Sequence, residues 1–249
     1  MQLNHSTTPW TLDRVRVAID DDPNLAALLE HAQSRLDDDP GHDTAHCLRV
    51  AVWALRLAGG ALDPRLVIAA ALLHDVVNLP KNSPERARAS ELSAREALTL
   101  LPRHGFSPEE SAQVAEAIRT HSFSRSEAPK SELGRVLSDA DRLEALGVIG
   151  LFRTISTGAR MGARYFHPTD PWARERPLDD RGYSIDHFFT KLLRLPETLS
   201  TAAGRAEAKK RAAYLQATLT ALADELGVDA PPADALPVNS RKPAPETGE

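Results

Sequence analysis

The sequence predicts an all-α fold, and three observations carry that expectation. Residues that start and stop helices punctuate the chain, as at Asp63-Pro64, Ser83-Pro84, Ser107-Pro108 and Gly59-Gly60. Between these marks, apolar residues recur at spacings of three and four, as in Val50, Ala54 and Leu57 or Val114, Ala117 and Ile118. Strand signals are missing, because aromatic residues make up only 5% of the chain and no run alternates cleanly.

The elements follow in order. Apolar periodicity places helices over residues 23–37 and 43–58, the second ending at Gly59-Gly60. Asp63 and Ser83 each put a capping oxygen before a proline suited to the first helical position, which starts helices over 64–77 and 84–101. Ser107 and Glu110 have the spacing of a capping box and open a helix over 108–121. Further helices are expected over 131–146, 148–160, 184–194 and 201–226, with Gly227 as the final stop. Residues 161–183 hold three prolines and many charges, and their length marks a long ordered loop with a functional part to play. Specificity is expected from this loop, around Tyr165, Phe166, His167 and Trp172. The body of the fold is expected over 10–227, and the proline-rich segment 228–249 has too little apolar surface to fold.

Composition narrows the partners. Apolar residues at 42% and charged residues at 26% are ordinary for a globular protein. A net charge of −5, with acids and bases interspersed, leaves no electrostatic footprint for a nucleic-acid polymer or an anionic membrane. A small phosphorylated ligand needs only a local cluster of cations. No basic-then-apolar leader opens the chain and no apolar run reaches the ~20 residues of a membrane span, so the expected compartment is the cytoplasm. Cys47 stands alone, which removes disulfides and thiolate zinc sites from consideration and suggests a packed, inert thiol.

A second layer of signal lies in where the histidines and acids fall. The most apolar run, "LVIAAALL", ends in the adjacent pair His74-Asp75. An ionised carboxylate there demands a partner, either water or a cation. His46 and Asp141 each sit on another helix with an apolar stripe. Neighbouring helical residues point about 100° apart, which suits two adjacent positions of an octahedral shell. Two imidazoles and two carboxylates without sulfur favour one divalent ion from among manganese, iron, cobalt, nickel and magnesium.

This order of residues resembles the HD-domain metal-dependent phosphohydrolases, whose signature is an early His, a His-Asp pair and a distant Asp. The likeness is closest to a small bacterial subgroup showing "HDxxHxxRV", "LLHDxxNxPK", "HSFS", "DADRLxALGxIGxxR" and "HFxxKLL". These match His42 to Val50, Leu72 to Lys81, His121 to Ser124, Asp139 to Arg153, and His187 to Leu193. The resemblance implies a single HD-domain helical bundle with His46, His74, Asp75 and Asp141 as metal ligands. It also makes Asp141, not Asp139, the last ligand, and leaves Asp139 as a cap or a supporting contact. The first dyad, His42-Asp43, would support the site or face substrate.

The implied activity is hydrolysis of a phosphomonoester or pyrophosphate bond in a small metabolite, a nucleotide above others. Asp75, His121 and Lys81 are the candidates for catalysis, and Arg49, Lys81, Lys191, His187 and Arg142 for binding phosphate. "HDVVNLPK" lacks the Glu-Asp pair of the members that hydrolyse guanosine tetraphosphate, and no Gly-Tyr-Pro segment marks a cyclic-dinucleotide enzyme. Two other classes compete. One is a di-iron HD oxygenase, for which His104 and His121 fall in the right interval; the other is a non-catalytic nucleotide-binding regulator.

Overall fold

Helix α1 (Leu12–Asp20) begins where the Thr11 hydroxyl accepts the Arg14 N–H. No helix was expected over these residues. In the computed structural model, residues 9–35, 43–77, 79, 85, 88–122 and 127–231 are described. Their contacts divide the chain into two compact units, Met1–Glu144 with Leu199–Gly204, and Ala145–Thr198 with Arg205–Glu249. Every regular element among the described residues is helical, as expected; the one β-contact is an isolated bridge between Arg164 and Tyr183.

In the first unit, α2 (Pro23–Arg35) is followed by α3 (Thr44–Ala58), α4 (Pro64–Leu73), α5 (Ala89–Leu100), α6 (Pro108–His121) and α7 (Glu132–Leu143). The starts follow the capping logic. The Asp43 carboxylate accepts the His46 N–H, Asp63 accepts from Arg65 before Pro64, and Ser107 with Glu110 completes a capping box. Gly59 ends α3 in the left-handed conformation at φ +56°, which glycine adopts without a Cβ penalty.

Helix α4 is the centre of this unit. All of Leu66–Leu73 is buried, and α2, α3, α6 and α7 pack around it. Burial of one such leucine contributes about 1.5–3 kcal/mol. The helix is shorter than expected: it stops at Leu73 with His74 as its C-cap, so the His-Asp pair lies in the turn that follows. An ionised group costs too much inside an apolar helix, and the turn lets Asp75 emerge to 22% side-chain exposure. Likewise, α5 begins at Ala89 and not at residue 84, with Glu85 in a turn; the Ser83-Pro84 cap lies outside the described residues.

Asp139 and Asp141 are two residues apart on α7, a rotation of about 200°, so they serve different neighbours. The buried Asp139 carboxylate accepts the backbone N–H groups of Ser200 and Thr201 at 2.8 and 2.7 Å and the Thr201 hydroxyl at 2.8 Å. It thus anchors the approach to α10 (Ala202–Leu226), a supporting contact and not a helix cap.

In the second unit, α8 (Gly147–Arg160) leads into the loop 161–183. The loop is held by side chains. Arg176 donates to the fully buried Asp186 carboxylate at 2.5 and 2.7 Å, and the Asp179 N–H adds a third bond at 2.7 Å. The helix expected over 184–194 is split into α9 (Asp186–Thr190) and a 3-10 segment, Leu192–Thr198. Trp172, expected to take part in specificity, is buried at 3% exposure, lies edge-on to Phe189 and donates its indole N–H to the Asp229 carbonyl. Tyr165 in the same loop is 60% exposed. Arg174 also donates to the Asp229 and Ala230 carbonyls, so the start of the expected tail is tied down; residues 232–249 lie outside the described ones.

Replacing Asp139 by alanine removes the carboxylate that accepts the Ser200 and Thr201 backbone N–H groups. Asp139→Ala should lower unfolding stability by about 2–6 kcal/mol, at roughly 1–3 kcal/mol per unsatisfied buried group. Urea titration followed by circular dichroism checks this.

Candidate metal centre

Three imidazoles are fixed by the same device. His74 Nδ1 donates to the Ala71 carbonyl at 2.8 Å, and His121 Nδ1 donates to the Ile118 carbonyl at 2.6 Å. His46 Nδ1 faces Glu144 Oε2 at 3.4 Å. A carbonyl or an ionised carboxylate can only accept, so each Nδ1 carries a proton. In a neutral ring Nε2 then presents a lone pair.

Those Nε2 atoms converge. His46 Nε2 and His74 Nε2 are 3.3 Å apart, and both residues are fully buried. Burial drives the His74 pKa down to about 4 against the pull of Asp75, so this ring is neutral at pH 7. Two lone pairs facing each other repel unless a cation lies between them. Acceptors surround the same point. Asp141 Oδ1 lies 3.5 Å from His46 Nε2 and 4.0 Å from His74 Nε2, and Asp75 Oδ2 lies 3.6 Å from His74 Nε2. One ligand atom from each of His46, His74 and Asp75 falls within 4.8 Å of the others. Ligands about 2.0–2.3 Å from a shared ion stand about 3 Å apart at right angles and up to about 4.5 Å apart when opposed. These three residues are therefore close enough to hold a metal ion, and the nitrogen and oxygen donors suit the divalent set expected.

The local electrostatics have the matching sign. Burial works against the charge on Asp75, but His74 and the bond from His121 outweigh it and hold the carboxyl well below its ordinary range. Asp141 is lowered in the same way, burial being overcome by His46 and His74. His121 Nε2 lies 3.6 Å from Asp75 Oδ1. Burial alone would lower its pKa, yet the bond to Asp75 carries it above the ordinary histidine value. Cys47, next to His46, is buried; burial pushes its thiol up, out of the range of a nucleophile or ligand.

The other candidates separate. Arg49, one turn after His46 on α3, donates from Nε to Glu144 Oε2 at 2.7 Å and is 28% exposed. Arg142 is half-buried beside Asp141 on α7. His187 and Lys191 belong to the second unit, where His187 Nδ1 pairs with Asp180 at 3.1 Å and Lys191 is exposed at the end of α9. Lys81 and His42 lie outside the described residues. Asp43 is the α3 cap, which accounts for its presence without substrate. His104 stands in the 3-10 turn Leu101–His104, its carbonyl taken by Arg65.

Sequence reasoning missed Glu144. It is only 1% exposed, and a single oxygen, Oε2, faces both His46 and Arg49. Burial opposes its charge, but the bond from His46 and the charge of Arg49 prevail and hold its carboxyl below the usual value. Its spacing of three from Asp141 put it on the same helical face. Its partners, 95 and 98 residues away, were not readable from that.

Residues 44–146 match the HD domain family. YpgQ of Bacillus subtilis, an uncharacterised protein, is 29% identical over 200 residues, covering 78% of this chain and 89% of YpgQ. The crystal structure of YpgQ in complex with ADP is similar with a TM-score of 0.63 at 28% identity, covering 84% of this chain and 99% of that one. An HD-superfamily hydrolase of Bacillus thuringiensis gives 0.61 at 29% identity, covering 86% and 100%. A predicted HD-superfamily hydrolase from an uncultured Thermotogales bacterium gives 0.59 at 27% identity, covering 85% and 98%.

The neutral, buried His74 gives the ion-free protein a signed pH dependence. Its folded pKa of about 4 is below the unfolded value, about 6.5. Between those values the unfolded chain binds more protons, so this contribution to stability is complete above pH 6.5 and is lost as pH falls to 4. In chelator, wild type should lose more stability than His74→Asn over that window. Urea midpoints at each pH measure the difference.

Proposed function

We propose, because residues 44–146 match the HD domain family, that this chain is a divalent-metal-dependent phosphohydrolase acting on a small phosphorylated metabolite, with a nucleotide as the preferred class. The observation that carries the reading is the 3.3 Å approach of the His46 and His74 Nε2 atoms, with Asp75 and Asp141 oxygens around them. His46, His74, Asp75 and Asp141 would hold one ion, of manganese, iron, cobalt, nickel or magnesium. Such an ion, when bound, polarises a phosphoryl oxygen and lowers the pKa of water. The compartment proposed is the cytoplasm; no helix among the described residues is long and apolar enough to cross a membrane.

The protein's own groups supply the rest. Phosphoryl transfer depends on positioning and on neutralising the equatorial oxygens. Arg49 serves that role: its Nε is tied to Glu144, and its planar head has further donors for a phosphoryl oxygen. Arg142 and Lys81 are the further phosphate-binding candidates. Asp75 accepts a proton from the attacking water. His121, with its pKa raised by Asp75, stands 3.6 Å from that carboxylate and is the candidate to give a proton to the leaving group. The complex of YpgQ with ADP supports a nucleotide over a sugar phosphate.

A panel of nucleoside mono-, di- and triphosphates and sugar phosphates, each with Mn²⁺, Co²⁺, Ni²⁺, Fe²⁺ or Mg²⁺, tests the reading. We expect ion-dependent release of phosphate or pyrophosphate. His74→Ala and Asp141→Ala should each cut turnover by about a thousandfold or more, since an ion contributes several kcal/mol at the transition state and 1.36 kcal/mol is a factor of ten. Helical circular dichroism should persist in both. Full activity in both variants would refute the assignment.

A further inference from the structure

Glu144 stands outside the set of groups that surround the proposed ion, yet it touches two members of the machinery. Its Oε2 lies 3.4 Å from His46 Nδ1 and 2.7 Å from Arg49 Nε. The two partners sit three residues apart on α3, one turn of helix. Glu144 itself lies in the C-cap position of α7, three residues beyond Asp141, and its backbone N–H donates to the Asp141 carbonyl at 3.0 Å. One buried oxygen thereby joins the helix that carries His46 and Arg49 to the helix end that carries Asp141.

We propose that Glu144 is a positioning residue that sets the ion-binding ring of His46 and the phosphate-binding head of Arg49 relative to one another. The inference rests on the phosphohydrolase reading. Its physical content is twofold. By accepting from Nδ1, the carboxylate fixes the His46 tautomer and ring plane, so that Nε2 faces the shared centre with its lone pair; such partners of ligating histidines govern metal affinity. By accepting from Nε, it leaves the terminal nitrogens of Arg49 for a ligand and removes rotamer freedom from the long side chain before that ligand arrives. Lysine at position 49 could not do both, having a single charged nitrogen in place of a fork.

Two probes test this on the full-length protein: Mn²⁺ affinity by calorimetry, and inorganic phosphate affinity of the Mn²⁺-saturated protein. Glu144→Leu should weaken Mn²⁺ by about 10–100-fold, and Glu144→Gln, which keeps an oxygen acceptor, should recover most of that loss. Arg49→Met should weaken phosphate by about tenfold or more. Glu144→Leu should weaken phosphate as well, and Glu144→Leu/Arg49→Met no further than the worse single variant. If Glu144→Leu alone fails to fold, the double variant decides the Mn²⁺ arm, because it removes the buried cation together with its anion. Wild-type Mn²⁺ affinity in a folded Glu144→Leu or double variant overturns the proposal, as do phosphate effects that multiply independently. A wild-type protein that takes up no Mn²⁺ overturns the phosphohydrolase reading itself.

Discussion

Two imidazole nitrogens facing each other at 3.3 Å inside an apolar interior are the constraint around which the first unit is arranged. Hydrogen bonding alone does not resolve that contact while both Nδ1 atoms hold the ring protons. A positive charge at the shared centre would, and the carboxylates of Asp75 and Asp141 nearby have the sign to balance it. The helices supply this from their ends: His46 from the first turn of α3, His74 from the cap of α4, His121 from the last turn of α6 and Asp141 from the last turn of α7. Helix middles can stay apolar and packed, while His74 and His121, at C-terminal helix ends, have backbone carbonyls to receive their Nδ1 protons.

The arrangement trades stability for chemistry. Burial of His74 and of the carboxylates opposes their charged forms; neighbouring histidines outweigh that cost for Asp75 and Asp141, whereas burial prevails for His74. A cation that binds only the folded state would stabilise it by mass action. Glu144 extends the same economy one layer outward, since its buried charge is held by one ring and one guanidinium. The Asp139 carboxylate, two residues before Asp141, is given wholly to architecture.

The second unit uses buried charge for another purpose. Asp186, taken by Arg176 and the Asp179 N–H, fixes a 23-residue loop that has little regular structure. Trp172 and Arg174 then fasten the chain beyond α10 through the Asp229 and Ala230 carbonyls. A loop fixed in this way can present exposed groups such as Tyr165 without large reorganisation.

The helical class, most helix starts and the grouping of His46, His74 and Asp75 were legible in the residues alone. Caps, prolines and apolar spacing act over one or two turns, and that information is local. Locality also explains what failed. Where α4 stops depends on the cost of placing Asp75 among the surrounding helices, not on α4's own apolar run. The split near residue 190 and the burial of Trp172 depend on what packs within the second unit. Only the tertiary structure could pair Glu144 with His46 and Arg49, because a carboxylate three residues from Asp141 reads as an ordinary helical charge until two distant side chains close on one of its oxygens.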